Sequence, residues 1–175
     1  PGTEEYNERI REKEGFYMPI PPKQRIFKTD TGKAKFTVNP MSPIVLEPGQ
    51  LFMTTIRSHD QFNTVVYGLD DKYRGVEGGR RVIFMHPDDM AARGLETKTL
   101  VDISSHFRGQ TRTMQHFQAI PHPIARGCTA TYYPEANPLV PLDSVARGSC
   151  QPASKSVVIS VVLICGAFAA ASALQ

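Results

Sequence analysis

The sequence predicts a mainly β domain, a closed barrel of at least six short strands with long crossovers and one or two small helices. Short runs rich in β-branched and aromatic residues recur along the chain, which is typical of strands. Proline and glycine separate these runs and prevent long helices. The one well-marked helical segment is too short for a helical or doubly wound fold.

The chain divides into three parts. Residues 1–45 are an extended, proline-interrupted lead-in, in which residues 4–13 predict one short helix and residues 33–38 one short alternating strand. Residues 46–162 form the barrel, and residues 163–175 are an Ala-rich tail.

The barrel region contains six predicted strands and a helix. The strands cover residues 51–56, 81–85, 99–104, 112–120, 128–133 and 155–162, and the third and fourth form a hairpin around Gly109. Alternation from Leu51 to Ile56 predicts a strand that is covered on both faces. The helix lies in residues 86–95, because Pro87 suits a first helical position and Gly94 a left-handed C-cap.

Charge and cysteine content exclude several classes of function. The net charge of +3 and the isoelectric point near 8.9 favour an anionic ligand, but the dispersed Lys and Arg residues predict no nucleic-acid partner. Cys128, Cys150 and Cys165 lack the spacing of a zinc site or a disulfide framework and predict a cytoplasmic protein with reduced thiols.

The two ends of the chain carry predictions of their own. The acidic start predicts no secretory signal, and the absence of an initiator Met predicts a fragment or processed piece. Residues 156–174 are uncharged and long enough to span a bilayer, but their β-branched beginning favours a buried last strand over a membrane helix.

A cluster of polar side chains follows the first strand. Its members are Arg57, Ser58, His59, Gln61, Asn63 and Thr64. A guanidinium, an imidazole, amides and hydroxyls together suit phosphates and the edge of a heterocycle. The alternative is a surface loop whose side chains cap its own turn.

Five features occur in the order of a known family. They are Thr55–His59 with the polar residues after it, Met85–Leu95, a strand–turn–strand, Tyr132–Leu139 and Pro152–Val157. In this order, and over about residues 28–160, the sequence resembles the C-terminal dinucleotide-binding domain of molybdopterin oxidoreductases. It is most similar to formate dehydrogenase-like alpha subunits. The resemblance implies a six-stranded double-psi β-barrel.

The resemblance also implies a function. The domain would bind one guanine dinucleotide arm of a bis-molybdopterin cofactor carrying molybdenum or tungsten, jointly with domains that are not in this chain. The metal ligand would lie in another domain, so no residue here is expected to ligate metal or act in catalysis, and the isolated chain is expected to be inactive. The parent oxidoreductase would act on a small anionic substrate, and its other domains would be the partners, without nucleic acid or membrane.

Matching positions imply roles for single residues. Arg57 would grip a diphosphate, Thr55, Ser58 and Thr64 would add neutral hydrogen bonds, and His59 and Gln61 would meet pterin heteroatoms. We expect Arg57 on the barrel rim beside a polar cavity, with Asn63 and Asn137 nearby and Lys155 at the same mouth. The family often has an aromatic residue before this lysine, where Ser154 stands here. A structural hydrogen bond for His59, a turn role for Asn137 and a solvated Lys155 stay open.

Two other classes of function compete with cofactor binding. The first is a β-barrel interaction module that has kept the fold and lost the cofactor, which the dense polar cluster disfavours. The second is a hydrolase that pairs His59 or His106 with Ser58 or Ser105. It is disfavoured because adjacent residues of a strand point apart and the chain has no nucleophile elbow.

Overall fold

Six strands close into a barrel. They are β1 Leu51–Ile56, β2 Val82–Met85, β3 Leu100–Phe107, β4 Gln110–Pro121, β5 Cys128–Tyr132 and β6 Val157–Leu163. The structure is a computed structural model that describes residues 5–18, 20–40, 43–62 and 67–164. The chain divides into two units, residues 1–43 and residues 44–175, and the barrel belongs to the second.

The order of the strands around the barrel is β1-β5-β2-β4-β3-β6, with β6 closing on β1. The pairs β1–β5 and β2–β4 are parallel, and the other neighbours are antiparallel. Exchanging the first three strands with the last three reproduces the same ring and the same parallel pairs. The barrel therefore has the two interlocked halves of a double-psi topology, and the predicted fold class is confirmed.

The barrel interior is filled by alternate residues of its strands. On β1, Leu51, Met53 and Thr55 are buried while the residues between them are half-buried, so the outer face of this strand is only partly covered. By contrast, all four residues of β2 are buried. Its outward Val82 and Phe84 are covered by a second apolar cluster, which includes Val76 and Tyr132.

Two local features match their sequence signals. Helix α2 covers Pro87–Ala91. His86 caps its start by accepting the Asp88 N–H at Nδ1. After the C-cap Ala92, Gly94 lies in the left-handed region at φ 64° and closes the following turn by donating its N–H to the Ala91 carbonyl at 3.0 Å. The β3–β4 hairpin turns on Arg108 and Gly109, whose positive φ angles of 48° and 76° are those of a two-residue type I′ turn.

The N-terminal unit contains the predicted short helix, α1, at Tyr6–Arg9. The predicted strand at residues 33–38 is wrong: these residues form no strand, and the Phe36 and Val38 side chains are 98% and 92% exposed. An alternating pattern makes a strand only where a neighbour completes the backbone ladder, and the described residues of this unit supply no such neighbour.

The predicted last strand is present as β6, and the tail beyond residue 164, with Cys165, lies outside the described residues. None of the helices in the described part of the chain has the length and apolar character needed to cross a membrane.

We predict that Ile159→Ala destabilises the barrel by about 2–5 kcal/mol, because Ile159 is fully buried between Leu51 and Ser105 and the surroundings cannot fill the cavity. Val162→Ala on the same strand is the control. Its side chain is 59% exposed, so a change below about 0.5 kcal/mol is expected. Urea unfolding measures both, and equal losses would contradict the inward orientation of Ile159.

Candidate functional site

A cavity of about 600 Å³ lies at one end of the barrel. Three cationic side chains, those of Arg57, Arg74 and Lys155, belong to its lining, and none of the described lining residues carries a carboxylate; the others are Thr55, Ile56, Tyr133 and Ser154. A concave surface that is lined by cations attracts an anion.

The topology of the barrel brings these distant residues together. Because β1 and β5 run parallel with Ile56 beside Tyr132, both strands end at the same edge of the barrel. Strand β6 runs antiparallel to β1 with Val157 beside Met53, so the chain enters β6 at this edge as well. The cavity thus forms where two strands end and a third begins.

Arg57 and Lys155 lie on the rim of this cavity. The Lys155 ammonium donates to the Thr55 carbonyl, and the Thr55 N–H donates to the Ser154 carbonyl at 3.0 Å, which fixes the entry to β6 against the end of β1. Arg57 is exposed and forms no ion pair with the described residues. The structure thus brings together the two cations that the sequence places about one hundred positions apart.

Asn137 lies in an adjoining cavity of about 340 Å³ that shares Tyr133 and Ser154 with the first. Its lining includes the amide side chains of Asn137 and Gln151 beside the apolar residues Val140, Pro141, Leu142 and Pro152. Asn63 and Thr64 lie outside the described residues, so the structure does not show whether they are near Arg57.

Ser58 and Gln61 are turned inward, towards Arg80. Arg80 is buried, with 3% of its surface exposed. Its guanidinium donates to Ser58 Oγ at 2.6 Å, Gln61 Oε1 at 2.8 Å and the Tyr133 carbonyl at 2.9 Å. Its Nε donates to Glu135 Oε1 at 2.7 Å. Gln61 Nε2 in turn donates to the Tyr133 carbonyl at 2.9 Å. These contacts hold the polar loop after β1 to the segment after β5.

Sequence reasoning missed Arg80. Its guanidinium carbon lies 4.0 Å from the ring centroid of Tyr67 and 4.5 Å from that of Tyr132, so two aromatic rings cover it. Arg81 follows directly and is exposed. The sequence alone does not distinguish the roles of two consecutive arginines before a strand. Because successive residues of a strand point to opposite faces, however, one of the two is expected to point inward.

Asp71 is the centre of a second buried polar network. Its carboxylate is 1% exposed and accepts hydrogen bonds from Tyr132 Oη at 2.8 Å, Arg74 Nη1 at 2.7 Å and the His59 N–H at 3.3 Å. His59 Nδ1 lies 3.1 Å from the other carboxylate oxygen. The Tyr73 ring packs against the His59 imidazole, with ring centroids 4.5 Å apart and ring planes tilted by 36°.

These contacts decide the charge of the network. Burial alone would raise the pKa of Asp71, but the hydrogen bonds from Tyr132, Arg74 and His59 outweigh it and hold the pKa at about 2. Burial, with the nearby Asp71 charge, raises the pKa of Tyr132. Because an ionised carboxylate only accepts, His59 Nδ1 carries a hydrogen and donates it. His59 therefore makes a structural hydrogen bond.

The Ser–His pairs of a hydrolase are not assembled. Ser58 and His59 bind different partners, Arg80 and Asp71. His106 Nε2 contacts Ser160 Oγ at 2.8 Å, while Ser105 is buried inside the barrel.

Comparison with known proteins identifies the domain. The sequence model of the family described as Molydopterin dinucleotide binding domain matches residues 51–158. The chain belongs to this family. The match confirms the predicted resemblance at this level, and it covers the strands and loops that form both cavities.

Two groups of relatives extend the match along the chain. An uncharacterized oxidoreductase of Mycobacterium tuberculosis is 46% identical over 165 residues, which is 91% of this chain and 21% of that protein. The protein YdeP of Escherichia coli is 33% identical over 169 residues, 92% of this chain and 22% of that protein. The chain thus spans about a fifth of the length of these relatives. The crystal structure of the computationally designed msDPBB_sym2 protein aligns with a TM-score of 0.33 and 11% identity, covering 65% of this chain and 99% of the design.

We predict that Arg80→Met destabilises the domain by about 2–4 kcal/mol, because the part-buried Glu135 carboxylate loses its partner and the buried Ser58 and Gln61 side chains lose their donor. Adding Glu135→Gln should recover part of the loss by removing that charge. The matched control is Arg81→Met at the exposed neighbour, with a change below about 0.5 kcal/mol. Denaturant unfolding of the four proteins decides it, and equal effects at positions 80 and 81 would refute the role of the buried network.

We predict that Asp71 alone lowers the free energy of unfolding by about 2 kcal/mol when the protein is acidified, since its pKa of about 2 in the folded state lies below the ordinary 3.8. A lowered pKa stabilises the folded protein above the ordinary value, and this contribution disappears as the pH falls from about 4 to about 2. Unfolding free energies across this range should fall less steeply for Asp71→Asn than for the wild type. Asp60→Asn, at an exposed carboxylate, should keep the wild-type slope, and an unchanged slope in Asp71→Asn would count against the assignment.

Proposed function

We propose that this domain binds one guanine dinucleotide arm of a bis-molybdopterin cofactor, as the C-terminal domain of a larger molybdenum or tungsten oxidoreductase resembling formate dehydrogenase. The cavity lined by Arg57, Arg74 and Lys155 carries the proposal, because it offers cations to an anion at the end of a barrel whose family binds a molybdopterin dinucleotide.

The donor set of the cavity fits a diphosphate. Arg74 is paired with the buried Asp71 carboxylate, whereas Arg57 and Lys155 form no ion pair with the described residues, so the lining keeps their two charges. A diphosphate that is esterified at both ends carries two negative charges, one on the free oxygens of each phosphate group. The guanidinium of Arg57 can make two parallel hydrogen bonds to phosphate oxygens, whereas the Lys155 ammonium acts as a point charge.

The adjoining cavity fits a heterocycle. Guanine and the pterin ring share an edge of amino, ring-nitrogen and carbonyl groups, and the amides of Asn137 and Gln151 can donate to and accept from such an edge. The apolar side chains of Leu142 and Pro152 offer surface to a ring face. The shared residues Tyr133 and Ser154 join this cavity to the cationic one, as a ligand with both a ring and phosphates requires.

The roles of this chain are binding and orientation. When bound, the metal of the cofactor supplies two-electron chemistry with a small anionic substrate. Arg57 and Lys155 would hold the phosphates, and Asn137 would hold the ring edge. Thr55 would contribute through its backbone, because its carbonyl fixes Lys155. Ser58 and Gln61 would act indirectly, by fixing the loop that carries Arg57 against Arg80.

One observation favours the alternative of an interaction module without cofactor. The polar cluster after β1 disfavours this alternative only if its side chains converge on a ligand, and Ser58, His59 and Gln61 instead bind Arg80 and Asp71 inside the protein. The two functions differ in one measurable property, since only the cofactor-binding domain retains a dinucleotide through purification.

We predict that Arg57→Ala, in a protein of the relatives' full length, weakens cofactor retention by about 1–3 kcal/mol through loss of a charge-assisted double contact. Molybdenum, tungsten and guanine nucleotide per mole of purified protein measure the effect. Arg81→Ala removes an exposed arginine away from the cavity and should leave all three unchanged. Equal metal and nucleotide content in Arg57→Ala and the wild type would remove Arg57 from the site, and a wild type without nucleotide would favour the interaction module.

A further inference from the structure

Arg74 is the cation of the cavity that the sequence motifs do not contain. It belongs to a 3₁₀ turn, Lys72–Arg74, in the crossover between β1 and β2, and Gly75 ends this turn at φ 67°. Its guanidinium donates through Nη1 to Asp71 Oδ2 at 2.7 Å and to the Arg57 carbonyl at 3.1 Å. Nη2 takes part in neither contact, although the side chain lines the cavity and is 21% exposed.

The position of Arg74 is fixed by its contact with Asp71 and by the backbone of the turn that carries it. Asp71 holds Nη1 with a carboxylate that is itself held by the Tyr132 hydroxyl and by two groups of His59. The backbones of Asp71 and Val76 form an antiparallel bridge, with hydrogen bonds of 2.8 Å and 3.0 Å, that closes the turn. A guanidinium that is fixed in this way loses little side-chain entropy when an anion binds to it.

We propose that Arg74 is a specificity-determining residue that lets the cavity select a diphosphate over a monophosphate, and that Asp71 and Tyr132 are the positioning residues that hold it. The inference rests on the proposed function of the cavity as a phosphate site. Arg57 and Lys155 supply the net charge. The Asp71–Arg74 pair is neutral overall, so Arg74 contributes directed hydrogen bonds rather than attraction for any anion.

The charges around the cavity indicate why the second phosphate matters. A single phosphate can be satisfied by the exposed Arg57 fork and the Lys155 ammonium. A second, adjacent phosphate needs another donor that is held in place before the ligand binds. Arg74 meets that requirement, because its Nη1 contact with the Arg57 carbonyl holds its guanidinium beside the backbone of Arg57.

The test uses a protein of the relatives' full length, prepared without cofactor, and measures its affinities for GDP and GMP by calorimetry, with unfolding midpoints recorded to show that each variant is folded. We expect the wild type to bind GDP more tightly than GMP. Arg74→Lys, which keeps the charge and loses the fork, should weaken GDP binding by about tenfold and leave GMP binding nearly unchanged. Arg108→Lys, at the exposed turn of the β3–β4 hairpin, is the matched control and should change neither.

The positioning role has its own matched pair of variants. Tyr132→Phe keeps the ring that covers Arg80 and removes the hydroxyl that holds Asp71, so it should reduce the GDP preference without abolishing GMP binding. Tyr73→Phe, at an exposed ring that packs against His59 and makes no hydrogen bond to Asp71, should leave the preference intact. If Arg74→Lys does not fold, Arg74→Gln replaces it, since its amide keeps a donor for Asp71.

The outcomes separate the two proposals. If the wild type binds neither nucleotide, or if Arg57→Ala changes neither affinity, the phosphate site is wrong and this inference falls with it. If Arg57→Ala weakens binding but Arg74→Lys keeps the wild-type GDP preference, only the role of Arg74 is overturned. A loss of preference in Arg74→Lys but not in Tyr132→Phe would overturn the positioning role of the Asp71 network.

Discussion

The end of the barrel that carries the cationic cavity depends on the hydrogen bonds of the buried Arg80 guanidinium. Arg80 stands just before β2, and its hydrogen bonds reach the loop after β1 through Ser58 and Gln61 and the segment after β5 through Glu135 and the Tyr133 carbonyl. A buried cation is tolerated only when nearly every donor has an acceptor, so the segments it contacts must arrive together. One side chain thereby fixes two of the four segments that surround the cationic cavity.

The second buried charge, Asp71, completes this arrangement from the other side. Tyr132 links the two networks, because its ring covers Arg80 while its hydroxyl donates to Asp71. The polar residues around the cavity therefore form two layers. The inner layer, around Arg80 and Asp71, makes its hydrogen bonds within the protein. The outer layer, Arg57 and Arg74, lines the cavity on a loop and a turn that the inner layer holds in place. Such preorganisation lowers the entropy that binding has to offset.

The sequence predicts the barrel far better than the roles of single polar residues. Strands such as β1 can be predicted because alternation records which side faces the core, and helix α2, Pro87–Ala91, because Pro87 begins it and Gly94 follows shortly after its end. The sequence also predicts Arg57 and Lys155 at one mouth of the barrel, and both line the cationic cavity. The inward turn of Gln61 was not predicted, since a polar residue after a strand reads the same whether it meets a ligand or a buried arginine. The strand predicted at residues 33–38 failed for a related reason, as a pattern does not show whether a partner strand exists.

The strand pairing that gathers the cavity has a consequence for how the site comes into being. Its residues come from the end of β1, the following crossover, the end of β5 and the start of β6, so no local segment holds even half of them. A ligand therefore finds no partial site on the unfolded chain and binds only after the ring of strands has closed. Contacts so distant in sequence form late and slowly. A dinucleotide that binds only the closed barrel accordingly stabilises it by an amount that grows with the ratio of its free concentration to its dissociation constant, so occupancy reports on barrel integrity as much as on cofactor supply.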